Sequence, residues 1–126
     1  MLKKISLALI SAGILFSTNS MATENLSTMS KINYTLTPHV PLLVKNIFFF
    51  EMVVNCKLNP NIQAPLFFQG VQGEGSIGDY HLSGTNTYNY TVKVDETLKL
   101  SAKPNSAVKI TNQGDTLVTA ECERVA

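Results

Sequence analysis

The 126-residue chain has no tryptophan, two cysteines, two histidines and only 15% charged side chains. Each shortage narrows the reading. Ten basic residues stand against nine acidic ones and form no basic stripe, so the electrostatic footprint of a nucleic-acid binder is missing. Redox catalysis favours a Cys-x-x-Cys spacing, and the only cysteines are Cys56 and Cys122. A metal site would need two more ligands, and only His39 and His81 are on offer. Gly70-Val71-Gln72-Gly73-Glu74-Gly75 lacks the Gly-Lys-Ser/Thr ending of a phosphate loop, and no helical period follows it. It reads as a mobile hairpin loop. The sequence calls for no cofactor.

One apolar run is present, and it is short. Met1-Leu2-Lys3-Lys4 precedes twelve mostly apolar residues, Ile5 to Phe16, and small residues follow at Ser20 and Ala22. A cationic head, an apolar middle and a small-residue cleavage site are the parts of a secretory signal peptide. A bilayer span needs about 20 apolar residues, so 1–22 is expected to be a cleaved signal and not an anchor. No cysteine follows the run, which argues against a lipid anchor, and no stable membrane insertion is expected after cleavage. Loss of Lys3 and Lys4 leaves eight basic against nine acidic side chains. Two cysteines in a small exported chain most often pair, so Cys56–Cys122 is expected to be a structural disulfide. The periplasm or the cell exterior is the expected location.

About 104 residues remain after cleavage, enough for one domain that buries roughly 65% of its unfolded surface. Residues 23–31 are polar and aperiodic and are expected to form a flexible lead. Residues 32–126 carry strand grammar almost throughout. Ile32 to Thr37 alternates, and Pro38 and Pro41 break the ladder. Lys45 to Leu58 is the longest strand signal. One parity holds Phe48, Phe50, Met52, Val54, Cys56 and Leu58 and is expected to face the core. Shorter strand signals cover Leu66–Val71, Tyr80–Leu82 and Tyr88–Val94, the last with Tyr90, Val92 and Val94 inward. Further inward sets are Leu98, Leu100 and Ala102, then Val108 and Ile110, then Val118, Ala120 and Cys122. Turn signals recur every 8–12 residues, and no stretch sustains a 3.6-residue period. The expected fold is a small all-β antiparallel sandwich, Ig-like or Greek-key in type, with about 7–8 strands and one disulfide. Both cysteines fall on inward parities, as a core bridge requires.

Candidate chemistry is sparse. His39 lies between two prolines and His81 between Tyr80 and Leu82; neither stands beside a nucleophile. Ser83, His81 and Asp79 are neighbours on one short strand, and catalytic groups must converge in space. Tyr80, Tyr88 and Tyr90, with Asn86 and Asn89, could line a sugar-binding face, although strand aromatics more often form core and cross-strand pairs. Ile47, Phe49 and Val53 sit on the outer parity of the Lys45–Leu58 signal beside Glu51, Asn55 and Lys57. Large apolar residues on a water-facing parity need a reason. Either a loop or the lead covers them or a bulge reverses the parity, or they form a contact surface for a second copy or another protein.

Two stretches carry a resemblance: Pro41-Leu42-Leu43-Val44-Lys45-Asn46-Ile47-Phe48-Phe49-Phe50 on to Asn55-Cys56, and Thr97–Ala102 with Val108–Gly114 and Val118–Cys122. Together they resemble a group of small exported two-cysteine proteins from Gram-negative intracellular bacteria, over about residues 35–124. The resemblance implies a disulfide-closed β domain and carries no functional residue with it. Immunoglobulin domains pack a tryptophan on their bridge, and this chain has none. The ending Glu123-Arg124-Val125-Ala126 lacks the aromatic terminus of chaperone–usher pilins. The expected function is therefore a non-enzymatic exported domain that acts by surface contact with a protein partner or with itself. The alternative is a small secreted hydrolase or hydrolase inhibitor.

Overall fold

The computed structural model describes residues 22–25 and 31–125. Its strands in chain order are β1 (Ala22–Asn25), β2 (Lys31–Leu36), β3 (Leu42–Lys45), β4 (Met52–Asn59), β5 (Ala64–Gln72), β6 (Glu74–Ile77), β7 (Tyr80–Ser83), β8 (Thr87–Val92), β9 (Leu98–Ala102), β10 (Ala107–Asn112) and β11 (Val118–Arg124). They form two sheets, ordered β1-β3-β10-β5-β8 and β2-β11-β4-β9-β6-β7. Every strand pairing is antiparallel except β1 with β3. The all-β sandwich read from the turn spacing is the observed architecture. It has eleven described strands where about 7–8 were expected, because the Lys45–Leu58 signal falls into two strands and because β1 and β6 form in segments expected to be a lead and a loop.

Alternation decides which side chains meet between the sheets. Tyr34 and Leu36 of β2, Met52, Val54 and Cys56 of β4, Leu66 and Phe68 of β5, and Val118 and Cys122 of β11 are all buried. Phe68, Met52 and Val118 are among the largest side chains with almost no exposure. Cys56 and Cys122 are bonded. They stand directly opposite each other on β4 and β11, with Cα atoms 4.0 Å apart, close to the narrow pair of an antiparallel ladder. The bridge thus ties two neighbouring strands of one sheet. It does not cross the core from sheet to sheet as in an immunoglobulin domain. A disulfide in this small domain fits an oxidising compartment.

Several expectations need correction. The Lys45–Leu58 signal is two strands in different sheets, separated by a non-strand segment at 46–51. Its inward parity holds from Met52 onward. Phe48 is only half-buried and Phe50 is exposed. The residues at 70–78 are not a mobile loop, since β5 runs to Gln72 and β6 spans Glu74–Ile77. Glycine is needed here for close approach. A Cβ on Gly75 would lie 2.3 Å from the Ser101 carbonyl oxygen, and Gly73 turns with φ +77° against Ser106. Val94 is not inward. β8 ends at Val92, and Val94 lies 55% exposed next to Asp95, which has φ 67°. The lead expected at 23–31 contributes β1, whose Ala22–Asn25 pair with Leu42–Lys45, and Lys31 opens β2. The signal expected at 1–22 lies, apart from Ala22, outside the described residues, as do 26–30 of the lead.

Candidate functional site

The segment that departs most from expectation is the corner at 46–51. After Lys45 the chain leaves the five-stranded sheet and re-enters the six-stranded one at Met52. Asn46 makes the turn. It is 1% exposed, and a buried amide needs partners for its donors and acceptor. Its Oδ1 accepts from the Phe48 N–H at 2.9 Å. Its Nδ2 donates to the carbonyls of Phe50, Ala102 and Lys103 at 3.0, 2.9 and 3.2 Å. Its backbone N–H donates to Ser106, and its backbone carbonyl accepts from Asn105. One side chain therefore closes the corner on itself and fastens it to the β9–β10 turn.

The corner is apolar outward. Ile47 is 55%, Phe49 97% and Phe50 42% exposed. Phe48 folds back against the core, with its ring 5.5 Å from that of Phe50. The Arg124 guanidinium lies 5.4 Å from the Phe50 ring centroid, within cation–π range. Val53 behaves differently. It is half-buried on the outer side of β4, opposite Ser101 of β9, and its carbonyl accepts from the Val125 N–H at 2.9 Å. Of the three residues proposed for a contact surface, the structure places Ile47 and Phe49 together on the corner and leaves Val53 on the strand that follows. Outer parity explains only Val53. Ile47 and Phe49 are exposed because they are off the sheet. Asn46, which holds them there, falls inside the Lys45–Leu58 strand signal but outside both strands; its sequence signal is a polar amide opening an apolar run six residues before the next buried position.

The tyrosines form a ladder at the other side of the sandwich. Tyr80 of β7 stacks on Tyr88 of β8 at 3.9 Å and 4°, joining the edges of the two sheets. Tyr90 follows 6.0 Å from Tyr88. The Tyr90 hydroxyl donates to Glu96, whose second oxygen accepts from the Lys93 N–H at 2.9 Å. The bond to Glu96, aided by burial and by the carboxylate charge, pushes Tyr90 up to about 12. The Lys93 N–H, followed by the Tyr90 hydroxyl, holds Glu96 below the usual carboxylate range. The rings thus spend their faces on each other, as cross-strand packing does. Asn89 lies on the opposite parity of β8 from Tyr88 and Tyr90.

No family model, curated protein or solved structure matches the chain. Its chemistry is read from its own geometry.

The histidines stand apart. His39, with φ 64°, has Nε2 3.5 Å from Asp115, and His81 has Nε2 3.5 Å from Glu74; all four side chains are well exposed. Among the described residues no cluster of three or more His, Cys, Asp or Glu could hold a metal ion. An apolar cavity of about 110 Å³ lies between the sheets, walled by core side chains such as Tyr34, Met52, Leu66, Phe68 and Leu98. Glu74 is the one carboxylate on its wall, and no histidine lines it.

Proposed function

We infer that this is an exported domain, cut after Ala22 and released to the periplasm or the cell exterior, that acts without catalysis by presenting an apolar corner to a protein partner. The observation that carries the reading is Phe49, 97% exposed on a corner whose turn is clamped by a fully bonded buried Asn46. Burial of a large apolar side chain is worth roughly 1.5–3 kcal/mol. A rigid corner gains more of that on binding than a floppy one, because little ordering remains to be done. Aromatic side chains supply a large share of interface hot spots.

The disulfide supports the oxidising location, and the two-cysteine resemblance supports the same assignment. The inhibitor half of the alternative shares this geometry, since an inhibitor also works by a rigid exposed loop; its partner would be a hydrolase. The hydrolase half would have to draw on Glu74, which lies 3.5 Å from His81 and 3.7 Å from Lys103 on the exposed surface.

A photo-reactive phenylalanine analogue at position 49, placed in the full chain in the producing cell, tests the reading. Irradiation is expected to give a discrete covalent adduct from position 49 and none from the exposed outer position 57 on β4. The mature chain in that adduct is expected to begin at Thr23. Absence of any adduct specific to position 49 contradicts the contact reading, and a mature chain retaining Lys3 and Lys4 contradicts export by cleavage.

A further inference from the structure

β8 is the last strand of its sheet. It pairs on one side with β5, from Thr87↔Gln69 to Val92↔Ala64, and on its other side it forms a ladder with no described strand. Natural sheets guard such edges with charges, proline, bulges or very short strands. The other edges here conform. β1 is four residues long, β2 opens on Lys31, and β7 is four residues long. β8 has six residues, Thr-Tyr-Asn-Tyr-Thr-Val, with no charge, proline or glycine.

The sequence of that edge is a palindrome. Thr87-Tyr88-Asn89-Tyr90-Thr91 reads the same in both directions. An antiparallel pair of identical strands is related by a two-fold axis, and a two-fold interface requires a surface complementary to itself. With the axis at Asn89, Asn89 faces Asn89 of the other copy, Tyr88 faces Tyr90, and Thr87 faces Thr91. These are neutral polar, aromatic and hydroxyl pairs, of the kinds that favour cross-strand packing, and no like charges meet. The strand is also held in place beforehand. Tyr88 is stacked on Tyr80, Tyr90 is bonded to Glu96, and Thr87, Asn89 and Thr91 are exposed on the outer face of the sheet.

We propose that the β8 edge is a self-association surface, on which two copies of this chain pair β8 to β8 about Asn89 and join their five-stranded sheets into one. The partner is a second copy of the chain, and the main-chain hydrogen bonds of the new ladder supply the attraction. The surface is remote in sequence and strand from the Asn46 corner, so this proposal and the corner reading stand or fall separately. A single strand pair buries less than a standard interface, which places the association in the weak, transient class, with a dissociation constant of about micromolar to millimolar.

Sedimentation of the mature, disulfide-bonded domain over a concentration series tests it, together with single substitutions at the axis. The wild type is expected to dimerise as concentration rises. Asn89→Lys places two like charges face to face on the axis and is expected to weaken the dimer at least about tenfold while leaving the melting temperature unchanged. Asn89→Cys reads the register directly, because directly opposed residues of an antiparallel pair sit within disulfide reach. Under mild oxidation it is expected to give a covalent dimer. Thr87→Cys alone is expected to give none, and Thr87→Cys with Thr91→Cys together is expected to restore it. A wild type that stays monomeric to about millimolar concentration overturns the proposal. So does a dimer that ignores Asn89→Lys, or an Asn89→Cys variant that cross-links no better than Lys57→Cys. A dimer lost in Ile47→Ser/Phe49→Ser and kept in Asn89→Lys assigns the contact to the corner instead.

Discussion

Asn46 and Asn112 turn the chain from one sheet to the other by the same set of bonds, at opposite ends of the sandwich. Each Oδ1 accepts from the N–H two residues ahead, Phe48 in one case and Gly114 in the other. Each Nδ2 donates to the carbonyl four residues ahead, Phe50 or Thr116. Each also reaches across to another strand or its end, Asn46 to Ala102 and Lys103, Asn112 to Leu36. Both are 1% exposed, and each is followed six positions later by a buried first residue of the next strand, Met52 and Val118. An asparagine that hydrogen-bonds its own downstream backbone is a turn element. Here, buried, it is also a staple.

Replacing either asparagine takes the partner from backbone groups that are buried or part-buried, at up to about 1–3 kcal/mol for each such group. Asn46→Ala and Asn112→Ala are each expected to lower stability by about 2–4 kcal/mol in denaturant titrations. Asn46→Asp is expected to cost at least as much, because it places a carboxylate against three carbonyl oxygens that now receive donors. A loss below about 0.5 kcal/mol in both alanine variants would show that the turns do not depend on these side chains.

The Cys56–Cys122 bridge spans a sequence separation of 66 residues, and the chain-entropy account values such a closure at ~4 kcal/mol. That is a large part of the stability of a small domain. Cys56→Ala/Cys122→Ala is expected to lower the unfolding free energy by about that amount, and thiol titration of the unfolded, unreduced wild type is expected to find no free thiol. Two titratable thiols would refute the bridge.

Tyr90 and Glu96 make stability depend on pH at both extremes. Tyr90 is neutral when it donates to Glu96 and is raised to about 12. Its contribution is therefore fully present below the ordinary tyrosine value of about 10 and is lost as pH rises from there through about 12. Glu96 is lowered, so its contribution is present above the ordinary glutamate value of about 4.3 and is lost as pH falls through the lowered one. Tyr90→Phe is expected to remove the alkaline loss and soften the acid one. Melting curves against pH check both arms, and a variant with the wild-type profile at both ends would contradict the pairing.

The strand interiors were legible where alternation was clean and turn chemistry marked the ends. Val118, Ala120 and Cys122 lie on one parity, with Val118 and Cys122 buried, and Asn112-Gln113-Gly114-Asp115 is the turn that its residues announce. The corner at Asn46 was hidden because Ile47 to Phe50 is apolar and strand-prone, and local propensity pointed to a continuing strand. Tertiary context overrode it. Asn46 finds its partners at Ala102 and Lys103, 56 and 57 residues away, and a sequence window cannot show such partners. The glycines misled in the opposite sense. Gly70 and Gly75 suggested mobility, and the strands use them because neighbouring backbones come too close for a Cβ. Ile47 and Phe49 stand exposed because they lie off the sheet, and the parity argument that draws attention to them applies only to Val53.

The most direct test of the contact reading is the melting temperature of Ile47→Ser/Phe49→Ser, measured beside its yield of covalent partner adduct under a non-selective cross-linker. Substitutions on an exposed corner change stability by little, within about 0.5 kcal/mol each, so the melting temperature is expected to stay within about 4–8 °C of the wild type while the adduct disappears. An adduct that persists undiminished would remove Ile47 and Phe49 from the contact, and a melting temperature that falls by much more than that range would show that they serve the fold and not a partner.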